Sequence, residues 1–323
     1  FEENNHPHTE TPLTLEYVDP ETLQIELLYA YTGSLKKGDY AIEQLKNGLE
    51  ITYYFSKQEI FQIFELADKL KADNGVCDWL KGKAIVLFFP ESSIRTRVSF
   101  EKGIKMLGGD TILFPPEALD KKEDIKDVIG YLENWADMVI VRHKDLSLIE
   151  YMAEHSHIPI INAMTAVNHP CEILTDLYSL SKKYVDYSEK ECLFMGSKGN
   201  IGNTWKEASE LVGFNFTQCC PRGYEIDGAS VCYEIDKAVV GKDIICTDSI
   251  PSAAKDDFEG YQITLDRLRY ANADACLNPC PPFFRSEEVS ADAIDSKYFV
   301  GYEFKKSLIE VQQAVICYLL SYE

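Results

Sequence analysis

From residue 84 onward, short apolar runs alternate with longer stretches in which apolar residues recur every three or four positions. The runs AIVLFF (84–89), TILF (111–114), MVIVR (138–142) and IPIINA (158–163) are too short for helices and predict strands. Between them, SFEKGIKML (99–107) and DIKDVIGYLENWAD (124–137) carry helical spacing. In the second, Ile125, Val128, Ile129, Leu132 and Trp135 form one stripe predicted to lie against a sheet. The helix EILTDLYSLSKK (172–183) closes this set. After the polar stretch KKYVDYSEK (182–190) the pattern repeats, with strands at ECLFMG (191–196), FTQCC (216–220), DIICTD (243–248) and ADACLN (273–278). Helices are predicted from near Gly202 and over Leu265–Arg269. Such alternation is the grammar of parallel sheets covered by helices. The expected class is therefore α/β, with two doubly wound parallel-sheet domains bearing helices on both faces.

The polar stretch places the boundary near residue 185, giving a first domain at 46–185 and a second at 186–305. Leu308, Val311, Val315 and Tyr318 share one stripe, so the C-terminal helix (306–323) is predicted to return to the first domain. Residues 1–45 form an N-terminal extension with helical patches and no motif.

Composition narrows the function. Lys and Arg number 32 against 53 Asp and Glu, a formal net charge of −21, which repels a phosphate backbone and argues against nucleic-acid binding. The ten cysteines contain no CxxC pair and sit in apolar runs, as buried free thiols of a reducing, cytoplasmic setting do. No run approaches the length of a membrane span, and no membrane association is expected. His155 and His157 form an HxH pair without a third ligand nearby, so no metal site is expected.

Against this acidity, PESSIRT (90–96) concentrates hydroxyls and a guanidinium after a predicted strand. Ligands of α/β sheets bind beyond the carboxyl ends of strands, where helix N-termini favour anions. Ser93, Arg95 and Thr96 thus make a candidate phosphate site, with a capped helix as the plain alternative. Arg142 ends MVIVR, and His169 opens a helix after IPIINA, so three strands would deliver Arg95, Arg142 and His169 to one sheet edge.

The blocks FPESSIRTRVSFE, VIVRHK, NHPCEILTDL, MGSKGNIGNTW, CTDS and NPCPPFFRSEEV, in this order, resemble the aspartate and ornithine carbamoyltransferases from about residue 50 onward, and the ornithine branch more than the aspartate branch. The resemblance implies transfer of a carbamoyl group from carbamoyl phosphate to an amine such as ornithine, with no metal or organic cofactor. It implies that Ser93, Ile94 (through its backbone), Arg95 and Thr96 hold the phosphate, that Arg142 bridges phosphate and carbonyl oxygen, and that His169 donates to that oxygen. Lys121, in the loop LDKKEDIKD, would reach a neighbouring subunit's site, which requires at least a homotrimer. Asn200, Asp248, Ser252, Cys280 and Arg285 would hold the amine, with Asp248 and Cys280 among the catalytic groups.

Three departures from the family pattern stand out. Glu172 replaces a glutamine that contacts the carbamoyl group, and next to a dianion it is expected to be protonated or paired, for example with an arginine. Pro279 replaces a histidine, and PSAA (251–254) replaces a serine-methionine-glycine loop. These sustain an alternative, a catalytically impaired homologue acting as a binding or regulatory protein. A dinucleotide-dependent oxidoreductase is a weaker alternative: Gly196, Gly199 and Gly202 follow a strand, but their spacing is not GxGxxG and no acid follows about 20 residues on.

Overall fold

The computed structural model describes residues 55–321, so the expected extension at 1–45 lies outside the described residues. Packing divides the described chain into two units, residues 55–165 with 313–321, and residues 166–312.

The first unit opens with helix α1 (Lys57–Ala72), started by a capping box in which the Ser56 hydroxyl and the Glu59 carboxylate each receive the other's backbone N–H. Strands β1 (Ala84–Phe88), β2 (Asp110–Phe114), β3 (Met138–Arg142) and β4 (Ile160–Met164) form an all-parallel sheet in the order β2-β1-β3-β4. Helices α2 (Ile94–Met106), α3 (Ile125–Leu132) and α4 (Leu146–Glu154) make the crossovers. Val86, Phe88, Val139 and Val141 pack on one sheet face with Ile129, Ile149 and Met152, while Ile85, Leu87 and Ile140 are equally buried on the other. This two-sided burial is why β1, β3 and β4 read as apolar runs.

The second unit holds α5 (Pro170–Lys183), β5 (Glu191–Met195), α6 (Asn200–Val212), β6 (Asn215–Cys219), β7 (Ser230–Cys232), α7 (Ile235–Ala238), β8 (Ile244–Thr247), α8 (Leu265–Leu268), β9 (Cys276–Pro279), α9 (Ala291–Ile294) and α10 (Gly301–Phe304). Its parallel sheet runs β7-β6-β5-β8-β9. Helix α11 (Leu308–Leu320) contributes residues from Gln313 onward to the first unit. There the Gln313 amide donates to the carbonyls of Gly75 and Gly103, both at 2.9 Å. The Tyr318 ring stands edge-on to Phe55, and its hydroxyl reaches Glu59 and Gln62. The expected return of the last helix is thus observed.

Three details differ from the sequence expectation. Helix α2 begins at Ile94 rather than Ser99, because Arg95 and Thr96 form its first turn. Helix α3 ends at Leu132, so Trp135 leaves the predicted stripe and is 69% exposed. Strand β7, with its half-exposed SVC sequence, carries no apolar signal and went unpredicted.

Candidate active site

Each sheet reverses its winding direction once, and the two reversals place the candidate side chains. In the first unit the chain leaves β1 toward β2 and later returns on the other side as β3, so the crevice lies at the carboxyl ends of β1 and β3. Ser93 follows β1, and Arg142 ends β3. Ser93 is the N-cap of α2, yet its side chain makes no cap bond. Instead Arg142 Nη1 donates to Ser93 Oγ at 2.9 Å and, more weakly, to Thr96 Oγ1 at 3.4 Å. Ser93 and Thr96 are buried, and no acidic residue occupies the first turn of α2. A guanidinium and two hydroxyls at a helix N-terminus without an acid form a setting that favours an anion.

The remaining first-unit candidates sit less tightly. Ile94 and Arg95 are exposed, and the Ile94 N–H is bonded to the Ser92 carbonyl at 2.9 Å. Lys121 is exposed on its loop. That loop is tied to the strand carrying Arg142 through its neighbours. His143 Nδ1 accepts from the Asp145 N–H at 3.1 Å, which leaves Nε2 to donate to Asp120 at 3.2 Å.

In the second unit the winding reverses between β5 and β8. Asn200 begins α6 just after β5, and Asp248 directly follows β8. Burial pushes the Asp248 carboxyl up to about 6, against the opposing pull of the Ser249 N–H, 2.8 Å from Oδ1. Cys280 follows β9, its N–H held by the Thr247 carbonyl at 2.9 Å. Burial, then the carboxylates of Glu172 and Asp248, push its thiol well above the ordinary range, so it stays protonated and can orient an amine but not act as a base. Ser252 is exposed in a short 3-10 turn, and Arg285 is exposed and pairs with Asp295 at 2.9 Å. A groove of about 460 Å³ lined by Ile250, Phe258, Gln262 and Arg267 contains neither Asn200, Asp248 nor Cys280. Of its charged residues, Lys255 pairs with Glu287 and Arg267 with Asp236.

His169 caps α5, and its N–H donates to Thr204 Oγ1 at 2.9 Å. By packing it belongs to the second unit, so the expected grouping of Arg95, Arg142 and His169 in one unit is not what the contacts give. One turn further along α5, Glu172 has the partner its charge requires. It is Lys305 rather than an arginine, with Nζ at 2.7 Å from Glu172 and 2.6 Å from Asp176. Asn278 also donates to Asp176. The sequence reading missed Lys305 and Asp176. The one available signal was Asp176 four residues after Glu172 on one face of the helix, two acids that need a shared cation.

Gly196 and Gly202, after β5, serve packing. A Cβ on Gly202 would stand 2.6 Å from the Phe194 ring and 2.7 Å from Ile226. Gln218 ties the same loop, donating to the carbonyls of Gly196 and Tyr224 and accepting from the Ile226 N–H. These contacts account for Gly196 and Gly202 without a dinucleotide.

The chain belongs to the aspartate/ornithine carbamoyltransferase family: residues 49–182 match its carbamoyl-P binding domain and residues 188–319 its Asp/Orn binding domain. The ornithine carbamoyltransferase of Chromobacterium violaceum is 31% identical over 288 residues, covering 82% of this chain and 94% of that protein. Among solved structures, ornithine carbamoyltransferase from Thermus thermophilus superposes with a TM-score of 0.78 at 25% identity, covering 82% of this chain and 96% of that one. The enzyme from Pyrococcus furiosus gives 0.78 at 26% identity, with 83% and 95% covered. Helix α5 lies within the first matched domain by sequence and packs with the second unit.

Proposed function

We propose that this protein is an ornithine carbamoyltransferase, moving the carbamoyl group of carbamoyl phosphate to ornithine and releasing citrulline and phosphate. The observation that carries the reading is the Arg142 guanidinium held by Ser93 and Thr96 at the N-terminus of α2, in a chain that matches the family over both domains. Residues 46–185, with the C-terminal helix, serve the phosphate, and residues 186–305 serve the amine. Ser93, Thr96 and Arg95 bind the leaving phosphate. Arg142 and His169 stabilise the carbonyl oxygen, where negative charge grows as the amine attacks. Asp248 and Asn200 hold the amino acid's charged ends, and Cys280, a neutral thiol, steers the nucleophile.

Self-association as a homotrimer completes the reading, with Lys121 serving a neighbouring subunit. Its support is the edge strand β2, which exposes Ile112 and Phe114, together with exposed Tyr131 and Trp135 in the same unit. Ten free cysteines suit a reducing compartment such as the cytoplasm. Among the described residues, no helix is long and apolar enough to cross a membrane.

Phosphate and citrulline release from carbamoyl phosphate, measured with ornithine and a panel of other amines, tests the assignment, with sedimentation testing the trimer. Ornithine should be the best acceptor, and Arg142→Ala should lower kcat by about 100- to 1,000-fold, as loss of one oxyanion donor does. Turnover of a different amine would move the substrate assignment. No turnover at all would leave the impaired-homologue reading standing, and a monomer would sink the role given to Lys121.

A further inference from the structure

The second unit contains a buried charge cluster that the reaction as described does not use. Glu172 and Asp176 are 6% and 2% exposed, four residues apart on one face of α5, and Lys305 lies between them. Two carboxylates so placed repel, and each pays for its own desolvation. Burial works against the Lys305 ammonium too, but Asp176 and Glu172 outweigh it and hold the lysine firmly protonated. Burial raises Asp176 to about 6, with Glu172 adding to the rise and Lys305 opposing it. Cys280 and Asn278 face the cluster from the end of β9, and Asp248 and Glu172 both act on Cys280.

Glu172 lies three residues after His169, on the same face of the helix. A bare carboxylate there would oppose a dianion, whereas a carboxylate paired with an ammonium is neutral overall and keeps its capacity to accept a hydrogen bond. We propose that Lys305 is a positioning residue of the carbamoyl phosphate site. It fixes Glu172 and offsets one of the cluster's two negative charges, so that the carboxylate accepts from the carbamoyl N–H₂ much as an amide oxygen would. The inference rests on the carbamoyltransferase reading, and it makes the Glu172–Lys305 pair one functional unit.

The cluster's formal charge can be stepped by substitution. At a pH where both acids are ionised it is −1 in the wild type, −2 in Lys305→Met, −1 in the double variant Lys305→Met/Glu172→Gln, and 0 in Glu172→Gln. Titration calorimetry of carbamoyl phosphate at pH 8 should follow that ladder. Lys305→Met should weaken binding by about tenfold, the double variant should recover most of that loss, and Glu172→Gln should tighten binding by about threefold. If Lys305 only supports the fold, the melting temperature falls while the dissociation constants stay level, which overturns the proposal. Should Lys305→Met fail to fold, Glu172→Gln alone decides, because weaker binding in that variant contradicts the ladder. Phosphate release by the wild type is followed in parallel. An active enzyme without the ladder sinks this inference alone, and a wild type that neither binds nor turns over carbamoyl phosphate sinks the parent reading and the inference with it.

Discussion

On the proposed function, Asp248 is a single side chain set for its ligand before the ligand arrives. Burial lifts its carboxyl from 3.8 to about 6, so in the unliganded fold the charged form is disfavoured. The sign follows from linkage. The folded value lies above the unfolded one, so the carboxyl contributes no penalty below about pH 4, an increasing one from about 4 to 6, and its full penalty above 6. An ammonium bound beside it relieves that penalty, and it binds only to the ionised form. Amino-acid affinity should therefore be level above pH 6 and weaken about tenfold per unit below it. Norvaline tests this cleanly, since its α-ammonium stays charged from pH 5 to 8 and it has no side-chain amine to titrate. Its inhibition constant should bend near pH 6 in the wild type and stay flat, and weak, in Asp248→Asn. A bend that survives in Asp248→Asn would assign the titration to another group.

At the scale of elements, β5 and α6 act as one piece. Gly202 lies where the helix crosses the strand, and a methyl group there meets the fully buried Phe194 ring at 2.6 Å. Ile226 can yield at its terminal carbon, but the ring is enclosed on its sheet. Gly202→Ala should therefore destabilise the protein by about 1–3 kcal/mol in a denaturant melt, as overpacking does. Because Asn200 lies two residues earlier on the same helix, the KM for ornithine should rise more than that for carbamoyl phosphate. An equal effect on both would show that the shift does not reach Asn200.

Elements were also the scale at which the sequence was most readable. Among the described residues, strands buried on both faces, such as β1, β3, β4 and β8, announce themselves as apolar runs, and the half-exposed edge strand β2 was legible because TILF is itself apolar, whereas the half-exposed β7 carries no such run. The start of α2 was placed late, at Ser99, because Ile94, Arg95 and Thr96 carry no apolar periodicity, and the Ser93 hydroxyl, taken up by Arg142, makes no cap bond. Trp135 misled for the opposite reason: helical spacing continues past the point where α3 stops. Ser93, Arg95 and Thr96 stood out as candidates because they share one short segment. Lys305 was hidden because its partner Asp176 lies 129 residues away in sequence, and its neighbour Lys306, paired at the surface with Glu303, looks the same in the string FKKS.

The whole molecule carries a charge of −21 and binds, on our reading, a dianion and a cationic amino acid. Contacts such as Arg142 with Ser93 and Thr96 decide how long the dianion stays, while the summed surface charge acts on its approach. Those two influences separate with ionic strength. Raising salt from about 0.01 to about 0.1 M shortens the Debye length from about 30 to about 10 Å, which screens distant surface carboxylates much more than groups inside the site. Under conditions where each substrate is limiting in turn, kcat/KM for carbamoyl phosphate should rise by about two- to fivefold over that range, and kcat/KM for ornithine should fall. Slopes of opposite sign are the diagnostic, because a general effect of salt on the fold would move both the same way. If both values fall, chloride is competing at the phosphate site or the local field of Arg95 and Arg142 outweighs the net charge. In that case the acidity of the surface has no part in capturing the dianion, and the arginines at the end of the first sheet do that work unaided.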